Sequence, residues 1–136
     1  MNTYTITTTL SRPYDVAVDQ VRAALGEQGF GILTEIDLKA TLKTKLDVDV
    51  APQVILGACR PALAYEALTV EPSIAAVLPC NVVVRALDED TTIVEAFDPD
   101  AMMGLADSDA LSAVAADAKQ RITAAFASLD SLEGGD

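Results

Sequence analysis

The 136-residue sequence contains no histidine, and this absence excludes more kinds of active site than any motif in the chain suggests. Without an imidazole there can be no Ser-His-Asp triad, no Cys-His couple, no zinc ion held by histidine and no haem bound through a proximal histidine. A glycine-rich phosphate loop is also absent, because Gly26, Gly29 and Gly31 do not fit the Gly-x-Gly-x-x-Gly or Walker spacing. A functional site must therefore use other side chains.

Tryptophan is also missing, aromatic residues make up only 4% of the chain, and no apolar run approaches the roughly 20 residues that span a bilayer. The N-terminus lacks the basic segment and apolar block of a secretory signal. We therefore expect a cytoplasmic protein with reduced cysteines and a core of Val, Leu, Ile and Ala. The length predicts a single domain over residues 1–132 and a frayed tail over residues 133–136.

Basic residues are few, since nine lysines and arginines stand against 21 acids and give a net charge of −12. Such a surface repels nucleic-acid phosphates and anionic membranes, so neither is an expected partner. Lys39, Lys43 and Lys45 lie close together on one predicted helix. Lys39 and Lys43 are candidate ligands for a small anion near the helix N-terminus, or these lysines simply pair with acids.

The pattern of apolar and turn residues predicts an α+β domain with about five strands. A hairpin and one long terminal helix favour a largely antiparallel sheet over a parallel doubly wound sheet. The strand over residues 54–59 is mostly apolar, which is typical of burial on both faces. Helix caps are expected at Asp15 and Asp37. The predicted strands cover residues 3–10, 29–37, 54–59, 81–87 and 91–97, and the predicted helices cover residues 14–28, 38–46, 61–71, 99–105 and 109–129.

Two cysteines lie at the ends of predicted strands beside prolines, Cys59 before Arg60 and Pro61, and Cys80 before Asn81. If the two strands are neighbours, the thiols face a common pocket. They could then act as a thiol-disulfide couple or share a metal with a carboxylate, and Arg60 would lower the pKa of a nearby thiol. The alternative is that both are small core residues. Without Cys-x-x-Cys spacing, no metal and no particular cofactor is predicted.

Two carboxylates could extend this site. If Ile32, Thr34 and Ile36 share one face of their strand, Glu35 lies on the other face and could point toward the cysteines; alternatively it lies on a solvated edge. Asp98 could contribute to the site or simply cap the next helix. The candidate ligand-binding residues are therefore Glu35, Cys59, Arg60, Cys80, Asn81 and Asp98.

Four segments occur in the order found in the bacterial and archaeal family called domain of unknown function 302, and the likeness covers roughly residues 4–129. The resemblance implies a curved, largely antiparallel sheet of the TATA-binding-protein-like type and a tendency to form dimers. It also implies that the nearest family members share the residues at Glu35, Cys59, Cys80 and Asp98. It gives no reason to expect DNA binding. The segments are Gly29-Phe-Gly-Ile-Leu-Thr-Glu-Ile-Asp37, Ile55-Leu-Gly-Ala-Cys-Arg-Pro61, Leu78-Pro-Cys-Asn-Val-Val-Val84, and Phe97-Asp-Pro99 followed by Met102.

The leading hypothesis is a cytoplasmic, homodimeric module that binds a small ligand near the cysteines. An alanine-rich stripe on the last helix, which permits close packing on a sheet or a second helix, also favours a dimer. One alternative is a thiol-dependent redox or sulfur-transfer enzyme, which requires a thiol of depressed pKa. The other is a structural or interaction domain with no ligand.

Overall fold

A five-stranded antiparallel sheet organises the fold in the computed structural model, which describes residues 3–103 and 109–134. The strand order is β1-β5-β4-β3-β2, so β4 is central and β1 and β2 form the edges. The predicted α+β class and antiparallel pairing are confirmed. The strands are β1 (Thr5–Leu10), β2 (Gly31–Asp37), β3 (Gln53–Cys59), β4 (Cys80–Asp88) and β5 (Thr91–Phe97).

The helices begin and end largely where the turn residues predict. Asp37 caps α2, its side chain accepting a hydrogen bond from the Ala40 amide at 2.9 Å. The expected cap at Asp15 is wrong, because Pro13 occupies the N-cap position of α1 and Asp15 lies in the first turn. The helices are α1 (Tyr14–Glu27), α2 (Leu38–Leu46), α3 (Pro61–Val70), a 3-10 helix (Pro72–Val77), α4 (Pro99–Met103) and α5 (Asp109–Gly134).

Helix α5 buries the stripe that the sequence predicts. Its 26 residues at 1.5 Å per residue extend roughly 39 Å. It contacts α1, α3, α4 and β1, so the stripe is used inside the chain rather than on a partner. Leu105, which we assigned to the predicted helix over residues 99–105, lies outside the described residues. Residues 135 and 136 of the predicted tail also lie outside them. The buried stripe consists of Leu111, Ala115, Ala118, Ile122, Ala125 and Leu129.

The sheet buries one face against α1 and α5. In β3 the core side chains are Val54, Leu56 and Ala58, whereas Ile55 and Cys59 are only half-buried. The expectation that this strand is buried on both faces is therefore wrong. Its apolar run reflects one covered face and one partly exposed apolar face.

The partly exposed face also carries a polar cluster around Glu95. This carboxylate accepts hydrogen bonds from Thr5 at 2.7 Å, Thr7 at 3.1 Å and Arg85 at 2.6 Å. The hydrogen bonds from Arg85 and Thr5 are the main causes that lower the pKa of Glu95 to about 2. The cluster therefore holds β1, β4 and β5 together through an ionised side chain.

A β-bulge changes the orientation of residues in β2. Ile32 pairs with Ala58, but Thr34 pairs with Gly57, so the register shifts between them. Ile32 packs against the core, whereas Thr34 lies over Gly57 on the opposite face. The assumption that Ile32, Thr34 and Ile36 share one face is therefore wrong, because one extra residue interrupts the alternation.

None of the helices within these ranges combines the length and apolarity needed to cross a membrane.

Candidate ligand-binding site

An apolar cavity of about 50 Å³ lies where the ends of β3 and β4 meet α3, the 3-10 helix and α5. We call it the α3–α5 cavity. Its strand wall includes Ala58, Cys59 and Cys80, and its helical walls include Ala64 and Ala67. The cavity forms here because several facing helical positions are alanines, whose short side chains leave the space between the backbones unfilled.

The two cysteines reach this cavity because β3 and β4 are neighbours. Ala58 pairs with Cys80 across the two strands, which places Cys59 diagonally opposite Cys80. Both are free thiols that line the cavity. The neighbouring strands therefore bring both cysteines to the wall of one cavity.

Burial determines the protonation state of both thiols. It raises the pKa of Cys59. It also raises the pKa of Cys80, and the neighbouring Cys59 adds to that rise. The expectation that Arg60 lowers a thiol pKa is therefore wrong, since burial raises both values and Arg60 is not among their causes. The thiols are therefore neutral near pH 7, the opposite of an activated nucleophile.

Arg60 lines the cavity from the N-cap position of α3. Pro61 begins the helix directly after β3, and this tight junction fixes the position of Arg60. Its side chain crosses the backbone at Gly29, where a Cβ atom would lie 2.9 Å from Nε of Arg60. Gly29 has a φ of +88°, a conformation that favours glycine. A side chain at residue 29 would therefore displace the guanidinium.

The Nε atom of Arg60 is buried and has no hydrogen-bond partner among the residues that the structure describes. Most other basic side chains have partners in the same ranges. Lys45 also lacks one there, but it lies on the exposed surface of α2, where water can solvate it. Arg60 is thus a partly buried cation without an acid. The basic residues with partners are Arg12, Arg22, Lys39, Lys43, Arg85, Lys119 and Arg121.

Three predicted site residues lie away from the cavity. Glu35 is half-exposed and forms an ion pair with Arg22 of α1. Asn81 is exposed and pairs with Gly57. Asp98 accepts a hydrogen bond from the Asp100 amide at 2.9 Å and forms an ion pair with Lys119. Of the six candidates, the structure brings together only Cys59, Arg60 and Cys80.

The predicted anion site on α2 does not have free lysines. Lys39 donates a hydrogen bond to the carbonyl of Val50 at 2.9 Å. Lys43 forms ion pairs with Asp47 at 2.9 Å and with Asp49 at 3.5 Å. Lys43 thus matches the alternative interpretation, in which the lysines pair with acids, whereas Lys39 binds a backbone carbonyl instead.

Sequence reasoning missed most of the cavity wall. Leu63, Ala64 and Ala67 of α3 line it, as do Leu111 and Val114 of α5. Small and aliphatic residues at helical spacing signal a packed core equally well, so no pattern in the sequence distinguishes a cavity here. Across residues 3–103 and 109–134, no three Cys, Asp or Glu side chains converge to hold a metal ion.

The comparisons with known proteins agree with this architecture. The family model described as "Domain of unknown function DUF302" matches residues 6–129. A solved structure described as the "crystal structure of uncharacterized conserved protein DUF302 from Bacillus stearothermophilus" is similar, with a TM-score of 0.82 and 27% sequence identity. The similarity covers 91% of this chain and 96% of that chain. No curated protein matches the chain.

Proposed function

We propose that this chain, which belongs to the family described as Domain of unknown function DUF302, is a cytoplasmic, homodimeric module that binds a small molecule in the α3–α5 cavity. The observation that carries this proposal is the cavity itself. It combines apolar walls with two neutral thiols. Apolar pockets with a few placed polar groups are typical of small-molecule sites.

The size of the cavity limits the ligand and its affinity. A volume of about 50 Å³ accommodates on the order of four non-hydrogen atoms, since each water-sized site needs roughly 10–15 Å³. At a ceiling of about 1.5 kcal/mol per atom, such a ligand gains about 6 kcal/mol. The dissociation constant is then about tens of micromolar at best.

Binding is better supported than thiol chemistry. A redox or sulfur-transfer enzyme needs a thiolate at neutral pH, which requires a depressed pKa. Burial raises the pKa of both Cys59 and Cys80. Neutral thiols act as small, polarisable wall groups with weak hydrogen-bonding capacity, which suits contact with an apolar ligand.

The homodimer is proposed to form through the surface of β2, α2 and the segment after it, which we call the β2–α2 surface (residues 33–50). Five of the ten large apolar side chains that are exposed in the described residues lie there, and contiguous exposed apolar groups are typical of interaction sites. They are Leu33, Ile36, Leu46, Val48 and Val50.

Charge favours a second copy as the occupant of this surface. Residues 33–50 contain four acids and three lysines, a net charge of −1, whereas the whole chain carries −12. The remaining −11 lies elsewhere, so two copies that meet through the β2–α2 surface bring little net charge together. A two-fold symmetric contact would bury both patches at once.

Ligand binding can be tested by native mass spectrometry of gently purified protein, compared with its denatured mass. A bound molecule should be retained by the variant Ala62→Met and lost from Ala64→Met. Ala64 lines the cavity, whereas Ala62 is exposed on the same helix. Equal retention by both variants would place the ligand elsewhere. Because a dissociation constant of about tens of micromolar permits loss of the ligand during purification, the measurement is repeated with small apolar molecules added at millimolar concentration, and wild-type protein that binds none of them would contradict the proposal.

The dimer can be tested by sedimentation equilibrium with Leu46→Glu. Leu46 is 66% exposed on the β2–α2 surface, and Leu87, which is 63% exposed outside it, provides a matched control. Leu46→Glu should weaken association, and Leu87→Glu should not. A wild-type protein that stays monomeric at high concentration, or equal effects of the two substitutions, would contradict the proposed interface.

A further inference from the structure

We infer that a groove between the start of α1, the segment before β3 and the turn between β4 and β5 binds a basic, apolar segment of another protein. We call it the α1–β4 groove (residues 13–15, 51, 52 and 86–89). It shares no lining residue with the α3–α5 cavity or the β2–α2 surface, so the inference goes beyond the proposed function. The juxtaposition that supports it is a mostly apolar groove of about 410 Å³ whose charged lining residues, within the described chain, are all acids.

The apolar part of the groove is held in place by the backbone. Pro13, Tyr14, Pro52, Ala86 and Leu87 line it. The amide of Ala86 donates a hydrogen bond to the carbonyl of Pro52 at 2.9 Å, which joins two of these segments. The register of β4 against β5 shifts beyond Ala86, and Leu87 is 63% exposed there. An exposed side chain of this size beside other apolar groups favours contact with a second molecule.

The charge of the groove is negative. Asp15 lies in the first turn of α1, Asp88 and Glu89 lie at the turn between β4 and β5, and all three are exposed. Within the described residues none of them forms an ion pair with a lysine or arginine. Burial raises the pKa of Tyr14, and the charges of Asp37 and Asp15 add to that rise. The groove therefore complements a cation.

The shape of the groove favours a protein segment as its occupant. Small-molecule sites bury most of the surface of their ligand, whereas this groove is open and its carboxylates are exposed. Nucleic acids and anionic membranes carry phosphates that these acids repel. A second copy would bring its own net charge of −12. A segment of lysines and aliphatic residues fits both features, because lysine packs its methylene groups on apolar surface and leaves its charge near the acids.

The inference can be tested by fluorescence anisotropy of full-length protein with a short labelled peptide of alternating leucine and lysine. A second peptide, with glutamate in place of lysine, tests the charge. A third, with serine in place of leucine, tests the apolar contact. Wild-type protein should bind the first peptide more tightly than either of the others. The affinity should fall as salt is added, because salt screens exposed charges.

Matched variants locate the binding site. Glu89→Gln should weaken binding about twofold to threefold, the size expected for an exposed ion pair. Its control is Glu66→Gln, an exposed acid of α3 outside the groove. Leu87→Ser should weaken binding about fivefold, because it removes apolar area that the peptide covers. Its control is Val70→Ser, which is 43% exposed on α3. Both controls should bind like wild-type protein.

Several outcomes would overturn the inference. Groove variants that behave like their controls would mean that the peptide attaches elsewhere on the acidic surface. A glutamate peptide that binds as well as the lysine peptide, or a lysine peptide that does not bind, would refute the charge argument. Weaker self-association of Leu87→Ser in sedimentation equilibrium would place a second copy in the groove instead. None of these results involves the α3–α5 cavity, so the proposed ligand binding is tested separately.

Discussion

Filling the α3–α5 cavity from one of its own walls should stabilise the protein. The substitution Ala64→Met places an unbranched, adaptable side chain at a half-buried cavity position of α3. Methionine is also a good helix former, so the backbone of α3 should tolerate it. The gain comes from new van der Waals contacts with walls that face empty space in the unoccupied protein.

The volume of the cavity sets the expected gain. Voids in protein cores cost about 24 cal/mol per Å³, so a cavity of about 50 Å³ corresponds to about 1 kcal/mol. In a chain of 136 residues this gain should raise Tm by about 3–5 °C. Replacing alanine in a helix costs a few tenths of a kcal/mol, which slightly reduces the net effect.

Guanidinium chloride unfolding of ligand-free protein, followed by circular dichroism, measures the gain. The control is Ala62→Met, which has the same helix propensity on the exposed side of α3 and does not line the cavity. The unfolding midpoint should rise for Ala64→Met relative to Ala62→Met at an unchanged m value. A lower midpoint for Ala64→Met would mean that the space cannot accept a side chain, and the cavity argument would fail.

Three further predictions concern single groups. The pKa of Glu95 is lowered to about 2 from an ordinary 4.5. The stabilisation of the fold by its ionised carboxylate is therefore fully present above about pH 4.5 and is lost as the pH falls through about 2. Glu95→Gln should therefore cost about 1–2 kcal/mol at pH 7, and acid titrations of both proteins should converge near pH 2. In a Cys59→Ser variant, where Cys80 is the sole cysteine, alkylation of Cys80 should accelerate at a higher pH than alkylation of an ordinary free cysteine, because burial raises the pKa of Cys80. Fast alkylation at pH 6 would refute this. Gly29→Ala should destabilise the protein by about 1–2 kcal/mol through its positive φ and its contact with Arg60, and part of that loss should disappear in an Arg60→Ala background; full additivity would contradict the contact.

Much of the fold was predictable because local signals and tertiary structure agree. Asp37 caps α2, Pro61 begins α3, and β5 runs from Thr91 to Phe97 as the sequence predicts. Each of these features depends on backbone chemistry within a few residues, namely a side-chain cap, a fixed φ or a β-branched run. Such features do not require knowledge of what lies across the molecule.

The errors arose where a distant contact decides the outcome. Glu35 was considered near the cysteines by simple alternation, but the bulge between Ile32 and Thr34 shifts the register of β2. Glu35 then lies opposite Leu56 on the helix-covered side of the sheet, where Arg22 of α1 is its partner. Neither the bulge nor the approach of α1 to this strand is encoded in a local pattern.

The role of Arg60 shows the same limit at the candidate site. Beside two cysteines in the sequence, an arginine suggests a thiol activator, since a nearby positive charge lowers a thiol pKa. In the structure burial raises the pKa values of both thiols, and the charge of Arg60 is not among their causes. The guanidinium therefore has no thiolate to stabilise and no carboxylate from the described chain. The raised pKa values of both thiols therefore argue against the redox role that the cysteines alone suggest.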